Sequence, residues 1–463
     1  MAQKIFFFVF LTVLNLNSIK LSNANYLSPM SIDPQQLTHG EYGHFMNETQ
    51  CFSKDGQWIA YDTRNSDGDI ASTGCVEIVN IFSGEVRSIY HTKNQTAFGP
   101  GVGAVSFSPV TDTVIFIHGI RNANESNPYG FTRRTGVAID INNPQQPIFM
   151  DARDITIPYT AGALRGGTHA HHWSGDGEWI SFTYNDYVIE QAAKTNTSIQ
   201  DLRMVGVMFP GIVKVDNIDG LENNNGEMYA VIISNVKEKP KPGTDEIDRA
   251  FDECWIGKNG YQKKDGRWQT RAIAFQGNVI DINGIKKTQI FVVDLPSQLS
   301  KKQFESALPG TETERPFIPE GIHQRRISFL TEGVGGPRHW LKSTPDGKKI
   351  LFLSKDKKGN INVFGISPNG GEAEQISFHE FDIQSGINIS PNGKSITYIA
   401  DNLIYITDIK SNKSKAITSR FSETERPVTS VHWSPDSKII AFNKYVKTGD
   451  KKYLQIFLIP HLE

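Results

Sequence analysis

Three histidines stand within four residues at His169-Ala170-His171-His172, just after Arg165-Gly166-Gly167-Thr168. Imidazole is the side chain that exchanges a proton near neutral pH, so this density suits proton transfer or metal ligation better than strand packing. On a regular strand His169 and His171 point to one face and His172 to the other. The competing reading has some of them only satisfying buried backbone groups. His118 closes the apolar run Val114-Ile115-Phe116-Ile117, Tyr184 and Tyr187 flank Asn185-Asp186, and Arg203 lies in Asp201-Leu202-Arg203-Met204. Arginine takes a carboxylate through two parallel N–H bonds. A tyrosine among cations can give a proton to a leaving oxygen. Together these types suit β-elimination on a uronic acid. Its C5 proton is acidic only when the neighbouring carboxylate is neutralised, and the enolate-like charge must then be held. Arg338-His339-Trp340, Gln384 and His432 stand at comparable places further on and are expected to contact substrate or line the same channel.

Other chemistry is not signalled. The chain has no GxSxG, P-loop, HExxH or strand-following GxGxxG pattern. Asn65-Ser66-Asp67-Gly68-Asp69 loosely resembles a calcium loop. No cofactor is expected for catalysis; a structural divalent metal, zinc or calcium, stays open, although no CxxC spacing supports zinc. Cys51, Cys75 and Cys254 are the only cysteines, and Cys51 and Cys75 are candidates for a disulfide if their strands are neighbours. Trp58, Trp179 and Trp433 are expected in the core, and Trp173, Trp255, Trp268 and Trp340 as candidates for sugar stacking, with Trp173 and Trp340 also readable as core.

A recurring phrase sets the elements that position these residues. Phe52-Ser53-Lys54-Asp55-Gly56 and Trp173-Ser174-Gly175-Asp176-Gly177 each precede an alternating apolar strand, as do Thr344-Pro345-Asp346-Gly347, Ser390-Pro391-Asn392-Gly393 and Ser434-Pro435-Asp436-Ser437. Phe107-Ser108-Pro109 is a degenerate copy. Pro presets φ for a turn, Asp or Asn bonds its own backbone, and Gly takes positive φ. The last three copies lie 46 residues apart (344 to 390) and 44 apart (390 to 434). Strand-only repeats near that period are propeller blades. The expectation is an all-β, seven-bladed propeller with turns near 53, 108, 174, 227–235, 344, 390 and 434. One enlarged blade carries an insertion at about 236–326, within which 245–255 reads as a short helix and 300–307 as a weak one. The segment 35–50 is expected to complete the last blade and close the ring.

The net charge is −2, from 48 basic and 50 acidic residues, which gives no general reason to expect nucleic acid. Lys4 followed by Ile5–Leu14 and then Ser22-Asn23-Ala24 has the layout of a secretory signal peptide over residues 1–24, leaving 25–463 as one propeller domain. The expected protein is a monomer exported to the periplasm or medium, without membrane insertion.

Longer strings carry a resemblance. The Ser-Pro-Asp-Gly copies resemble TolB-like propellers. Asp154–Thr160, Leu164–His169, Ser181–Asp186, Pro242–Ala250, Pro337–Trp340 and Asp382–Ser385 look like a family of bacterial TolB-like proteins long without an assigned function, over roughly residues 35–460. That family is similar to the short secreted ulvan lyases of polysaccharide lyase family 25. The resemblance implies an acidic sulfated polysaccharide as substrate, with His118 as acid or base, Tyr187 as its partner and Arg203 as neutraliser. Where a second catalytic histidine is expected, this chain has Phe131-Thr132-Arg133-Arg134, which moves that role to His169 or His171. Arg165, Tyr184, Arg338, His339 and Gln384 are then substrate-binding candidates. Oligogalacturonate lyases are also propellers and hold a metal with His and Gln; Ile387 and Ile389 stand where further ligands are expected, which disfavours a catalytic metal here. A non-catalytic binding propeller is the second class of reading.

Overall fold

The computed structural model describes residues 33–460 except 217, 219 and 220. The signal-peptide reading therefore falls outside the described residues. Seven antiparallel sheets form the ring, each one blade. Blade one pairs Trp58–Asp62, Cys75–Asn80 and Val86–His91, with Phe45 and Phe52 bridging to its inner edge. Blades two and three are Val102–Phe107, Thr113–Gly119, Arg134–Asp140, Ile148–Phe149 and Gly166–Trp173, Ile180–Asp186, Met204–Val213, Gly226–Ile232. Blade four is Ala250–Trp255, Arg271–Ile280, Lys286–Leu295 and Gln324–Arg326. Blades five and six start at Lys342–Ser343 and Asn388–Ile389. Blade seven takes Val428–Trp433, Ile440–Thr448 and Lys451–Ile459 and borrows its outer strand, Gln35–Gln36, from the other end of the chain.

Three sequence expectations need correction. Gly226–Ile232 does not found a blade; it is the outer strand of blade three, paired with Met204–Val213. The stretch 236–326 holds blade four itself, enlarged by the hairpin Tyr261–Gln262/Trp268–Gln269 and by the helix Lys301–Ser306 with its Ser300 capping box. The expected helix at 245–255 is instead the strand Ala250–Trp255, because burial against blade three outweighs the charge spacing.

The repeated phrase builds the same turn each time. The hydroxyl of Ser53, Thr344 and Ser390 donates to Asp55, Asp346 and Asn392 at 2.6, 2.6 and 2.8 Å, and Gly56, Gly347 and Gly393 take φ of 72, 69 and 73°. Apolar residues fill the spaces between neighbouring sheets, so each blade is stable only against the next. The disulfide expectation fails: all three cysteines are free. Cys51 is buried opposite Ala60 midway along the blade-one strand, whereas Cys75 begins the next strand beside Ser88 and His91.

The inner strands are not regular. Ala104, Ala170, Asp252 and Thr429 take φ of 56, 57, 49 and 64°, each where the pairing register with the second strand slips. These are β-bulges, which re-aim the side chains beside them.

A basic channel mouth as candidate active site

The bulge at Ala170 overturns the strand alternation expected for the histidines. His169 pairs with Thr183 and His172 with Ser181, so these two share a face. His171 lies on the other face, where its Nε2 meets Thr168 Oγ1 at 3.0 Å and packs close to Gly136. His172 faces blade four, with Nδ1 3.7 Å from Glu253.

His169 is the unusual one. It is buried, yet neither ring nitrogen has a hydrogen-bond partner. Burial first, then the charges of Arg203, Arg134 and Arg338 together with His171, push its pKa well below the ordinary 6.5. Its imidazole is therefore neutral at neutral pH, with a lone pair able to take a proton. Phe131 packs 6.2 Å from its ring and carries Arg134 and Arg203 over its face at 4.6 and 5.2 Å.

Four guanidiniums converge at this end of the channel from different blades. Arg203 is held by Asn185 Oδ1 at 3.2 Å, and Asn185 in turn by Asp201 at 2.8 Å. Burial and the charges of Arg249, Arg338 and Arg134 bring Arg203 down to about 10 against the opposing pull of Asp252. Arg338 reaches Asp67 at 3.7 Å and Asp252 at 3.6 Å. Among the described residues no carboxylate pairs with Arg134, Arg203 or Arg249. Positive charge exceeds negative here, a ready anion site. Tyr129 adds a phenol beneath Arg134, 4.7 Å from ring centre to guanidinium, with its hydroxyl buried and unpartnered. Burial raises its pKa, so it stays protonated.

The sequence candidates divide. His169, Arg203 and Arg338 meet at this mouth. His118 does not: its Nε2 meets the Tyr90 hydroxyl at 2.9 Å between blades one and two and its Nδ1 meets the Gly119 carbonyl, and burial lowers its pKa to about 4. Tyr187 opens a helix at the same end, but its ring lies under Arg153 and Arg133, 5.5 and 5.9 Å away, both of which pair with Glu222. No hydrogen bond joins it to His169 or Arg203 among the described residues. Arg165 and Tyr184 are buried on Asp186, at 2.8 and 3.2 Å, and carry structure rather than substrate. His339 uses both nitrogens, on the Pro337 carbonyl at 2.8 Å and the Leu353 N–H at 3.1 Å. Gln384 Oε1 accepts from the Asn402 N–H at 2.9 Å. Arg134, Arg249, Asp252 and Tyr129 were missed; Arg249 lies inside a string that carried the resemblance and Arg134 in the stretch where a second histidine was expected, but nothing local marked them as neighbours.

Metal readings fit poorly. The Asp67 carboxylate of the supposed calcium loop is engaged by Arg64 at 3.3 Å and by Arg338. No group of three His, Cys, Asp or Glu side chains among the described residues is placed to hold an ion.

A seven-bladed propeller with an excess of arginine at one mouth is thus the class of protein defined. The chain belongs to the family of the Escherichia coli (strain K12) protein called "Uncharacterized protein YidR", being 35% identical over 416 residues that cover 88% of this chain and 94% of that protein. A family model described as "Protein of unknown function (DUF3748)" matches residues 101–219. Among solved structures, an oligogalacturonate lyase in complex with manganese aligns with a TM-score of 0.53 at 11% identity, over 94% of this chain and 97% of that one. TolB from Acinetobacter baumannii aligns with a TM-score of 0.36 at 12% identity, over 88% of this chain and 81% of that one. At 11% identity the likeness to the oligogalacturonate lyase is one of fold. His339 and Gln384, a histidine and a glutamine of the types such a lyase uses for its metal, are already engaged by the protein's own backbone.

Proposed function

We propose that the protein is an exported carbon–oxygen lyase that cleaves a uronate-containing glycan by β-elimination at the basic mouth. The observation that carries this reading is His169: a buried, neutral imidazole with both nitrogens unpartnered, set among four arginines of which only Arg338 is paired with carboxylates. A substrate carboxylate docks on Arg203, supported by Arg249 and Arg338, which makes the C5 proton acidic. His169 takes that proton. The electron pair forms the C4–C5 double bond, the C4–O bond breaks, and the leaving oxygen takes a proton from Tyr129. Solvent then returns a proton to Tyr129 and removes one from His169. Tyr187, assigned this role by resemblance, packs instead on Arg153 and Arg133, which pair with Glu222, whereas Tyr129 lies under Arg134. Neighbouring guanidiniums beyond Arg203 suit a further anionic group, so ulvan, a sulfated uronate polymer, is the first substrate to try.

The test is ultraviolet absorbance of the unsaturated uronate, with ulvan, other polyuronates and oligogalacturonides assayed separately. A rise on one of them that Arg203→Ala lowers about 10²–10³-fold supports the site. Loss in Tyr129→Phe but not in Tyr187→Phe supports the donor; the reverse would return that role to Tyr187. Absence of any rise from folded wild-type protein favours the second reading, a binding propeller of the kind the fold also supports.

A further inference from the structure

The channel has a second mouth, at the end where the Ser-Pro-Asp-Gly turns lie, and the lyase reading does not use it. A cavity of about 520 Å³ opens there, within the size range of small-molecule sites. Its lining includes His172, Glu253, His432, Trp173 and Trp433. Five polar atoms of these residues have no partner: Nε2 of both histidines, Oε2 of Glu253 and the two indole N–H groups. His172, Glu253, His432 and Trp173 are 4, 0, 3 and 7% exposed. Buried polar groups are normally satisfied, so such a set of donors and acceptors around one space marks a place for a polar ligand.

The charge of this mouth differs from that of the first. Burial lowers His432 to about 3 and His172 well below 6.5, and raises Glu253 to about 8, so all three are neutral at pH 7. Lys342 is turned to the Glu48 carbonyl at 3.1 Å. Lys54, Lys258 and Lys342 also line the space, Lys54 paired with Asp112 at 3.2 Å, but the buried groups left without partners are all uncharged donors and acceptors, which suits hydroxyl groups.

A second cleft of about 300 Å³ continues from the cavity, sharing Gly175, Trp255, Gly257 and Lys258 with it. Its far wall is the hairpin Tyr261–Gln262/Trp268–Gln269, which none of the other blades has. Trp268 is 54% exposed, with its indole N–H donating to the Asn259 carbonyl at 2.7 Å. Trp255 likewise donates to the His172 carbonyl at 2.9 Å. Each ring is fixed by its nitrogen. In the cleft, Asp176 is already paired with Arg271, which also takes Glu178 at 2.7 Å.

We infer that the turn end of the channel is a second binding site, for a neutral oligosaccharide, with one terminal sugar among His172, Glu253 and His432 and the next unit stacked on Trp268. Aromatic faces pack on the apolar C–H faces of sugars, while clustered donors and acceptors read the hydroxyls. The site stands apart from the lyase reading and does not depend on it.

The experiment is calorimetric titration of the full chain with xylotriose, cellotriose, maltotriose and laminaritriose, and with trigalacturonate as the anionic contrast. At least one neutral trisaccharide is expected to bind. Trp268→Ala, on an exposed hairpin that the ring does not need for closure, is expected to weaken that binding about tenfold, and His432→Asn to weaken it as well. Arg203→Ala is expected to leave it unchanged. Three results overturn the inference: no neutral sugar binds folded wild-type protein, Trp268→Ala and His432→Asn bind as wild type, or Arg203→Ala alone abolishes binding and so places the sugar at the other mouth.

Discussion

At the residue scale, the account turns on an imidazole kept neutral by burial and by arginines. A base works only unprotonated, so lowering its pKa extends its working range downwards. With His169 held well below 6.5, kcat/KM is expected to stay flat as pH falls through about 6.5 and to drop only further into acid. A profile that halves near 6.5 would mean an ordinary histidine is the base. His169→Gln, which keeps the shape without the basicity, is expected to lower kcat by about 10²-fold or more while circular dichroism stays unchanged. The sequence marked His169 as a candidate because polar residues crowd a strand that packing alone would make apolar, and Arg203 through the resemblance. Arg134, Arg249 and Tyr129 were not marked, because Tyr129 and Arg134 belong to blade two and Arg249 leads into blade four, and they meet Arg203 only when the ring closes. His118, Arg165, Tyr184, His339 and Gln384 misled for a common reason: each fills a buried hydrogen-bond network, and sequence cannot tell a satisfied polar group from a reactive one.

At the element scale, the turn phrase was readable because its side chains bond their own backbone, a local fact. The inner-strand bulges were hidden, because Ala170 carries no sign that it takes φ of 57°. That one residue decides that His169, not His171, belongs with the arginines. A β-branched residue tolerates positive φ poorly. Ala170→Val is therefore expected to cost about 1–2 kcal/mol in a denaturant melt and to lower activity further than the stability loss explains, whereas Ala170→Gly keeps both near wild type. Equal activity in the valine variant would show that the bulge does not position His169. The same locality explains the misplaced fourth blade: Gly226–Ile232 reads like any strand, and only its pairing with Met204–Val213 makes it an outer one.

At the scale of the whole molecule, eight buried histidines have pKa values pushed down by burial: His44, His118, His169, His171, His172, His339, His379 and His432. In the unfolded chain they take up protons near 6.5, while the folded protein resists, so unfolding binds protons and stability falls as pH drops below about 6.5. Six carboxyls raised by burial act in the opposite direction, Asp151, Asp201 and Glu253 to about 6, 6 and 8 and Glu48, Asp62 and Asp252 as well, but they are fewer than the histidines. The melting temperature is thus expected to decline steadily from about pH 7 to pH 5. A melting temperature that rises over that interval would mean the buried carboxylates dominate.

The central claim is that the basic mouth performs an elimination. Its most direct measurement is proton NMR of the chain ends released from ulvan, or from whichever uronate polymer is cleaved fastest. The account predicts one new vinylic proton at C4 of an unsaturated uronate for every reducing end formed, and neither signal with Arg203→Ala. Saturated ends would show hydrolysis instead, and vinylic ends undiminished in Arg203→Ala would place the elimination elsewhere on the molecule.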